Sequence, residues 1–227
     1  MFDILYQNSD FLAINKHPNV SVHKDDGETS LLIELAKETG DKQLYLIHRL
    51  DKMTSGLLLI GRNQAAASEL SQLFANRLVE KYYLAIGDKK PKKKQGLVIG
   101  DMDRSRRASW KLINSKENPA VTQFFSTAAQ GGNRLFLCKP HTGKTHQIRV
   151  ALKSVGSGIL GDPIYSSSNA DRGYLHAYAL RFTYQTQNFE FVELPKQGEE
   201  WENETVQAGL QQWQMPWTLT WPEIKKK

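Results

Sequence analysis

One cysteine in 227 residues, Cys138, leaves no intramolecular disulfide, no cysteine-based zinc cluster and no dithiol redox centre. No apolar run approaches the ~18 consecutive residues of a membrane helix. The start, MFDILYQNSD, lacks the basic-then-apolar profile of a secretory signal. These absences predict a soluble, cytoplasmic protein with no membrane partner. No GxGxxG follows a strand-like run, and there is no HExxH or paired Cys/His spacing, so neither a dinucleotide nor a metal has a seat and no cofactor is expected. Gly143, Lys144 and Thr145 follow the strand-like NRLFLCK as a phosphate-binding loop would. The glycine that such a loop needs five positions earlier is Cys138, however, and Pro140 removes another amide donor, which argues against nucleotide hydrolysis.

What is present is globular: 40% hydrophobic and 24% charged residues, enough chain for a substantial core. Thirty Lys and Arg against 24 Asp and Glu give a net charge of +6, an excess that favours an anionic partner such as nucleic acid. Much of it is local. Lys89, Lys90, Lys92, Lys93 and Lys94 crowd around Pro91, and Lys225 to Lys227 end the chain.

FDILYQ and FLAINK read as two strands joined by a turn at residues 8–10. TSLLIELAKETG reads as a helix with Thr29 or Ser30 as cap and Gly40 as stop. LLLIG, residues 57–61, is a buried strand, and Asn63 caps a helix whose Leu70, Leu73 and Phe74 form one core-facing stripe. EKYYLAIG is strand-like, and residues 88–94 form an exposed connection. ASWKLI, AVTQFFST and NRLFLCK follow with the spacing of an antiparallel meander. THQIRVALKSVG is a helix ending at Gly156, and residues 174–192 return to strand. Trp201, Trp213, Trp217 and Trp221 lie in a tail that packs back on the body of the protein. The expected fold is one α+β domain over residues 1–227, with a mixed, mostly antiparallel central sheet flanked by helices.

The segment IHRLDKMTSGLLLIGR places Asp51 between Arg49 and Lys52, before a Thr54-Ser55-Gly56 turn and a buried strand. A carboxylate beside an arginine is held in its charged form and can act as a nucleophile; an ordinary surface ion pair with a turn motif has the same appearance.

His48-Arg49-Leu50-Asp51, followed by Thr54-Ser55-Gly56, resembles the HRLDxxTSG motif of the RluA family of pseudouridine synthases. Other segments match in order. Asn15-Lys16, with His23 beyond, resembles the first motif of the family, and Lys81-Tyr82-Tyr83-Leu84-Ala85 its K-x-Y-x-A strand. Gly143-Lys144-Thr145-His146-Gln147-Ile148-Arg149 resembles its GRTHQIR motif, followed by Gly161-Asp162, Tyr165 and Leu175-His176-Ala177. The resemblance implies the pseudouridine synthase catalytic-domain fold and an isomerase that breaks the N-glycosidic bond of an RNA uridine, turns the base and rejoins it through carbon.

By that resemblance Asp51 is the catalytic carboxylate, attacking either the anomeric carbon or the uracil ring. Arg149 is its buried ionic partner, and Tyr83 lies against the target base and can serve the proton removal. Arg49 fills or clamps the gap left by the extruded uridine. Lys16, Lys144 and the lysines 89, 90, 92, 93 and 94 are expected to bind RNA, and no metal is implied. His48, His146 and His176 are read as hydrogen-bonded structural residues. Three positions depart from the family pattern: Asn19 replaces a turn glycine, Lys144 an arginine, and Ala151 stands where a histidine often follows. The chain begins almost at the first catalytic strand, so no separate N-terminal RNA-binding module is expected. The expected partner is a structured ribosomal or transfer RNA, not DNA, met by a monomer. A non-catalytic RNA-binding or ribosome-assembly protein on the same fold is the alternative.

Overall fold

Two short apolar runs and an Asn turn build the first hairpin. In the computed structural model, which describes residues 1–23 and 30–224, β1 (Phe2–Gln7) pairs antiparallel with β2 (Phe11–Lys16). Asn8 Oδ1 closes the connection by accepting the N–H groups of Asp10 and Phe11, each at 2.8 Å. Thr29 and Lys225–Lys227, named above as a cap and a charged end, lie outside the described residues.

The described chain forms two compact units. Residues 1–80 and 176–195 make the first, and residues 81–175 together with the chain from 196 onward make the second. In the first, strands run in the order β1, β2, β4 (Ser55–Gly61), β10 (Leu175–Tyr184), β11 (Gln187–Val192), with β3 (Tyr45–Leu46) also on β4. The β4–β10 pair is parallel and the others are antiparallel, a mixed sheet. Every residue of β4 is buried, which explains a continuous apolar run where an alternating one would mark a one-sided strand. Gln185 and Thr186 both take positive φ, 47° and 68°, as a two-residue hairpin turn requires.

Two helices complete this unit. α1 (Leu31–Thr39) buries Leu31 and Leu35, starts at Ser30 without a side-chain cap bond, and ends at a left-handed Gly40. α2 (Gln64–Ala75) is capped as expected, the Asn63 side chain accepting from the Ala66 N–H. Its core face is Ala66, Ala67 and Leu70, whereas Leu73 and Phe74 are only half-buried. The expected Leu70-Leu73-Phe74 stripe is therefore corrected: small residues meet the sheet, letting the helix approach closely.

In the second unit, β5 (Glu80–Gly87), β9 (Arg134–Pro140), β8 (Ala120–Ala128), β6 (Gln95–Arg104) and β7 (Trp110–Ile113) lie in that order, all antiparallel. This differs from the expected meander. β6, which is not among the strands expected from the sequence, pairs with both β7 and β8 and separates them.

The two faces of this sheet are covered differently. α3 (Gln147–Ser154) lies over the face of Thr122, to whose hydroxyl Gln147 Nε2 donates at 2.9 Å. The tail covers the other face. α4 (Glu204–Gln211) sets Gly209 against Leu135 and Thr127, and Trp221 packs on Phe125 and Tyr82. Trp201 and Trp213 are buried, so the tail tryptophans serve packing, as the sequence predicts.

Candidate active site

In the first unit, the loop between β3 and β4 alternates anchors and charges. Leu50 and Met53 are buried, Arg49 and Lys52 are exposed, and Asp51 between them is half-buried. Two apolar side chains thus plug the loop into the core while three charged ones are held at its rim. The Thr54 N–H donates to the Asp51 carbonyl at 3.0 Å and tightens the turn. Gly56 is required by contact as well as by conformation. Its φ is +112°, and a Cβ there would lie 2.2 Å from the Ala177 carbonyl oxygen on β10. Beside it, the Ser55 hydroxyl donates to His176 Nδ1 at 2.7 Å, and His176 Nε2 donates to the Glu193 carbonyl at 2.7 Å.

Lys16, expected to contact RNA, is fully buried. Its Nζ donates to the carbonyls of His17 (3.0 Å), Val20 (2.7 Å) and Lys52 (3.2 Å). An ammonium has three protons to donate, and here three backbone oxygens face it. Lys16 is thus corrected from an RNA contact to a clamp tying the end of β2 to the residue after Asp51. His48 Nε2 accepts the Leu59 N–H at 2.9 Å, and its ring stacks on Phe74 with centroids 4.1 Å apart. A nitrogen that accepts from an amide carries no proton, so His48 supports the loop rather than serving as an acid. Arg49 lies outward, its Nη1 3.4 Å from His23 Nε2.

In the second unit, β5 turns successive tyrosines to opposite faces. Tyr82 is fully buried under Trp217 and Trp221, with Lys139 Nζ 5.3 Å from its ring centre. Tyr83, half-buried, pairs with Cys138. Cys138 in turn pairs with Phe124, which shares the face of Thr122, so Tyr83 and α3 lie on the same side of this sheet. Burial pushes the Cys138 thiol up, out of the range of a reactive thiolate.

Arg149 on α3 is 4% exposed and Asp162 is fully buried. The guanidinium donates from Nε to Asp162 Oδ2 at 2.7 Å and from Nη2 to Oδ1 at 2.8 Å, a bidentate pair. Oδ1 also accepts the N–H groups of Ile164 (2.9 Å) and Tyr165 (3.2 Å). The Tyr165 ring lies 5.1 Å from the guanidinium carbon. Its hydroxyl accepts the Trp110 N–H and hydrogen-bonds His146 Nδ1, both at 2.8 Å. This is the element that sequence reasoning missed. Asp162 stood among the matched residues without a role, and it is the partner that α3's own unit supplies to Arg149.

The first unit therefore carries Asp51, Arg49 and Lys16, and the second carries Tyr83, Arg149, Lys144 and the five clustered lysines. A family model described as RNA pseudouridylate synthase matches residues 10–154, the stretch that contains Asp51, Tyr83 and Arg149. The chain belongs to the RNA pseudouridine synthase family. It is 48% identical over 211 residues to an uncharacterized RNA pseudouridine synthase of Haemophilus influenzae, covering 92% of this chain and 94% of that one. Over 171 residues it is 33% identical to a ribosomal large subunit pseudouridine synthase C of Rickettsia bellii, covering 72% of this chain and 56% of the relative. Among solved structures, Human RNA Pseudouridylate Synthase Domain Containing 1 superposes with a TM-score of 0.73 at 28% identity, covering 86% and 84% of the two chains. The RluA-type resemblance, the α+β fold and the isomerase class all follow.

Within this pseudouridine synthase the departures from the family pattern have local explanations. Asn19 takes φ 62°, the left-handed conformation a turn glycine would supply. Lys144 sits in a turn whose N–H donates to Gln147 Oε1 at 3.1 Å. The Ser115 hydroxyl and the Glu117 N–H hold Asp101 below the usual carboxylate range, and Lys144 adds a smaller pull on it. Ala151 is buried in α3.

Proposed function

We propose that this synthase isomerises specific uridines of a structured RNA, ribosomal or transfer, using the Asp51 carboxylate as nucleophile on a uridine drawn out of its stack. The observation that carries this reading is the Asp51 loop: a half-buried carboxylate beside an exposed arginine, fixed from below by Leu50, Met53 and the Lys16 clamp. Either point of attack, sugar or base, needs a carboxylate that is charged, immobile and reachable.

The overall change conserves atoms. The N1–C1′ bond breaks, a C5–C1′ bond forms, and a proton leaves C5 while N1 gains one, so the isomerisation has no net oxidation. Tyr83 is assigned to lie against the base and assist that proton loss, and Arg149, whose guanidinium Asp162 fixes, to supply a positive charge to the reaction. Arg49, exposed and planar, is assigned to the space the uridine leaves, and Lys144 to a phosphate. The enzyme acts as a monomer, on RNA and not DNA. The resemblance to a ribosomal large subunit pseudouridine synthase C of Rickettsia bellii makes large-subunit ribosomal RNA the first place to search.

The test is to map pseudouridines across stable RNAs in cells with and without the gene, and in cells carrying only Asp51→Asn. A site lost in both strains names the substrate and supports the nucleophile. A site lost on deletion but retained with Asp51→Asn refutes the assignment of Asp51.

A further inference from the structure

Residues 88–94 place five lysines in seven positions between β5 and β6. So basic a connection is ordinarily a solvated coil. Here the backbone is fastened along its length. The Asp88 N–H donates to the Gly158 carbonyl at 2.8 Å and the Lys92 N–H to the Val155 carbonyl at 2.9 Å, just past the end of α3. The Ser157 hydroxyl donates to the Lys89 carbonyl, and the Ser126 hydroxyl to the Lys94 carbonyl at 2.6 Å. Pro91 is buried in the middle.

The charges are sorted as well. Asp88, the one acid of the segment, accepts the Ser166 hydroxyl on Oδ2 at 2.8 Å, and its Oδ1 is shut away from solvent. Lys89, Lys90, Lys92, Lys93 and Lys94 are exposed, and among the described residues none of them has a carboxylate within ion-pair distance. Lys153, in the last turn of α3, is exposed too, and the Lys92 side chain runs past Gly156 nearby. Like charges held this close repel one another, and a free loop would relax by spreading them. Four backbone anchors prevent that.

We propose that this fastened loop, with Lys153, is a pre-shaped ridge for the sugar–phosphate backbone of the substrate RNA, gripping it by charge without reading its sequence. The proposal rests on the reading of the chain as an enzyme of structured RNA and adds where much of its affinity comes from. Each lysine that neutralises a phosphate releases a counterion and steepens the salt dependence of binding. Because the ridge is ordered before RNA arrives, little conformational freedom is lost on contact.

The test measures binding of a fluorescent RNA hairpin across a salt series, in Asp51→Asn protein so that turnover does not intervene. Changing lysines 89, 90, 92, 93 and 94 to glutamine lowers the slope of log K against log salt by roughly 3.5–4.5, at about 0.7–0.9 for each of five phosphates. An unchanged slope overturns the ridge. Ser126→Ala, and separately Ser157→Ala, keep every charge and loosen one anchor each; the expected result is a several-fold weaker Kd at the same slope. Unaltered affinity in both, with the fold intact by circular dichroism, overturns the pre-shaping. Binding to anionic phospholipid vesicles but not to the hairpin would assign the ridge to a membrane and overturn the RNA partner. A wrong assignment of Asp51 shows itself separately, as pseudouridine appearing in the Asp51→Asn mixtures.

Discussion

The Arg149–Asp162 pair invites one substitution worked through in full, Asp162→Asn. The amide keeps Oδ1, and with it the N–H groups of Ile164 and Tyr165 and the bond to Arg149 Nη2. It replaces Oδ2 by an NH2 group 2.7 Å from the guanidinium Nε, donor against donor. Arg149 is 4% exposed, so its charge then stands buried without a counter-charge from Asp162. Removing one partner from such a pair costs about 3–5 kcal/mol. At ~2–4 °C per kcal/mol for a chain of this size, the melting temperature falls by roughly 6–20 °C. Adding Arg149→Met to Asp162→Asn removes the buried charge that has lost Asp162, and with it the clash, while the amide still serves both backbone N–H groups. The double variant should therefore melt above the Asp162→Asn protein, an interaction opposite in sign to additivity. Calorimetric or fluorescence melts of the four proteins decide the matter. If Asp162→Asn melts within about 2 °C of wild type, or if the two losses simply add, the pair does not hold its unit as argued.

Gly56→Ala puts a Cβ 2.2 Å from the Ala177 carbonyl at a φ of +112°, so the β4–β10 pairing must shift; loss of soluble, folded protein is expected, and a normal melt would disprove the close approach. Trp201→Ala should cost about 3–5 kcal/mol, since its indole is buried against Tyr174, and urea unfolding will read the difference. The tail would then loosen around Arg172, whose guanidinium lies 6.0 Å from the same ring. Burial, with a hydrogen bond to Asp10, raises the Tyr184 hydroxyl to about 12. A folded-state value above the unfolded one means that this contribution is complete below pH ~10 and disappears as the pH climbs through about 12. Ultraviolet titration should show Tyr184→Phe protein losing one late-ionising tyrosine, and an unchanged late phase would reject the assignment.

The elements legible in the sequence are those whose local chemistry and tertiary place agree. Asn8 and Asn63 make the turn and cap that their residue type favours, and the unbroken LLLIG run is a strand buried on both sides. β6 was not legible because its sequence, QGLVIGDMDR, carries two glycines and two aspartates directly after the lysines and scores poorly as a strand by composition. Pairing with β7 and β8 on both edges overrides that weakness, and no local pattern announces which strand lies between which. In α2 the large residues Leu73 and Phe74 looked like the core face, but the sheet selects Ala66 and Ala67. Phe74 is left to stack on His48, a contact that depends on a loop some 25 residues earlier.

The candidate site divides along the same line. A motif read in one dimension identifies residue types, so Asp51, Arg49, Tyr83 and Arg149 could be named together from their order in the chain. It does not reveal which charges are already spoken for. Lys16 lies in a matched motif and looks like an RNA contact, yet its ammonium is committed to three carbonyls beneath the Asp51 loop. Asp162 lies in a motif of equal standing, and its two oxygens hold the guanidinium of α3. The lysines of residues 88–94 belong to no motif at all, and they are among the cations that face outward. Burial makes the distinction. A charged group enclosed by the protein must be satisfied by the protein and so orients its neighbours, whereas one anchored through its backbone with its head in solvent remains open to a partner of opposite sign. On that rule Lys16→Met should disturb the Asp51 loop and depress turnover without altering the salt slope of RNA binding, while the ridge lysines should do the reverse. Single-turnover rates and salt series on the two sets separate the roles, and a Lys16 variant that changed the slope would show that burial had been misread as commitment.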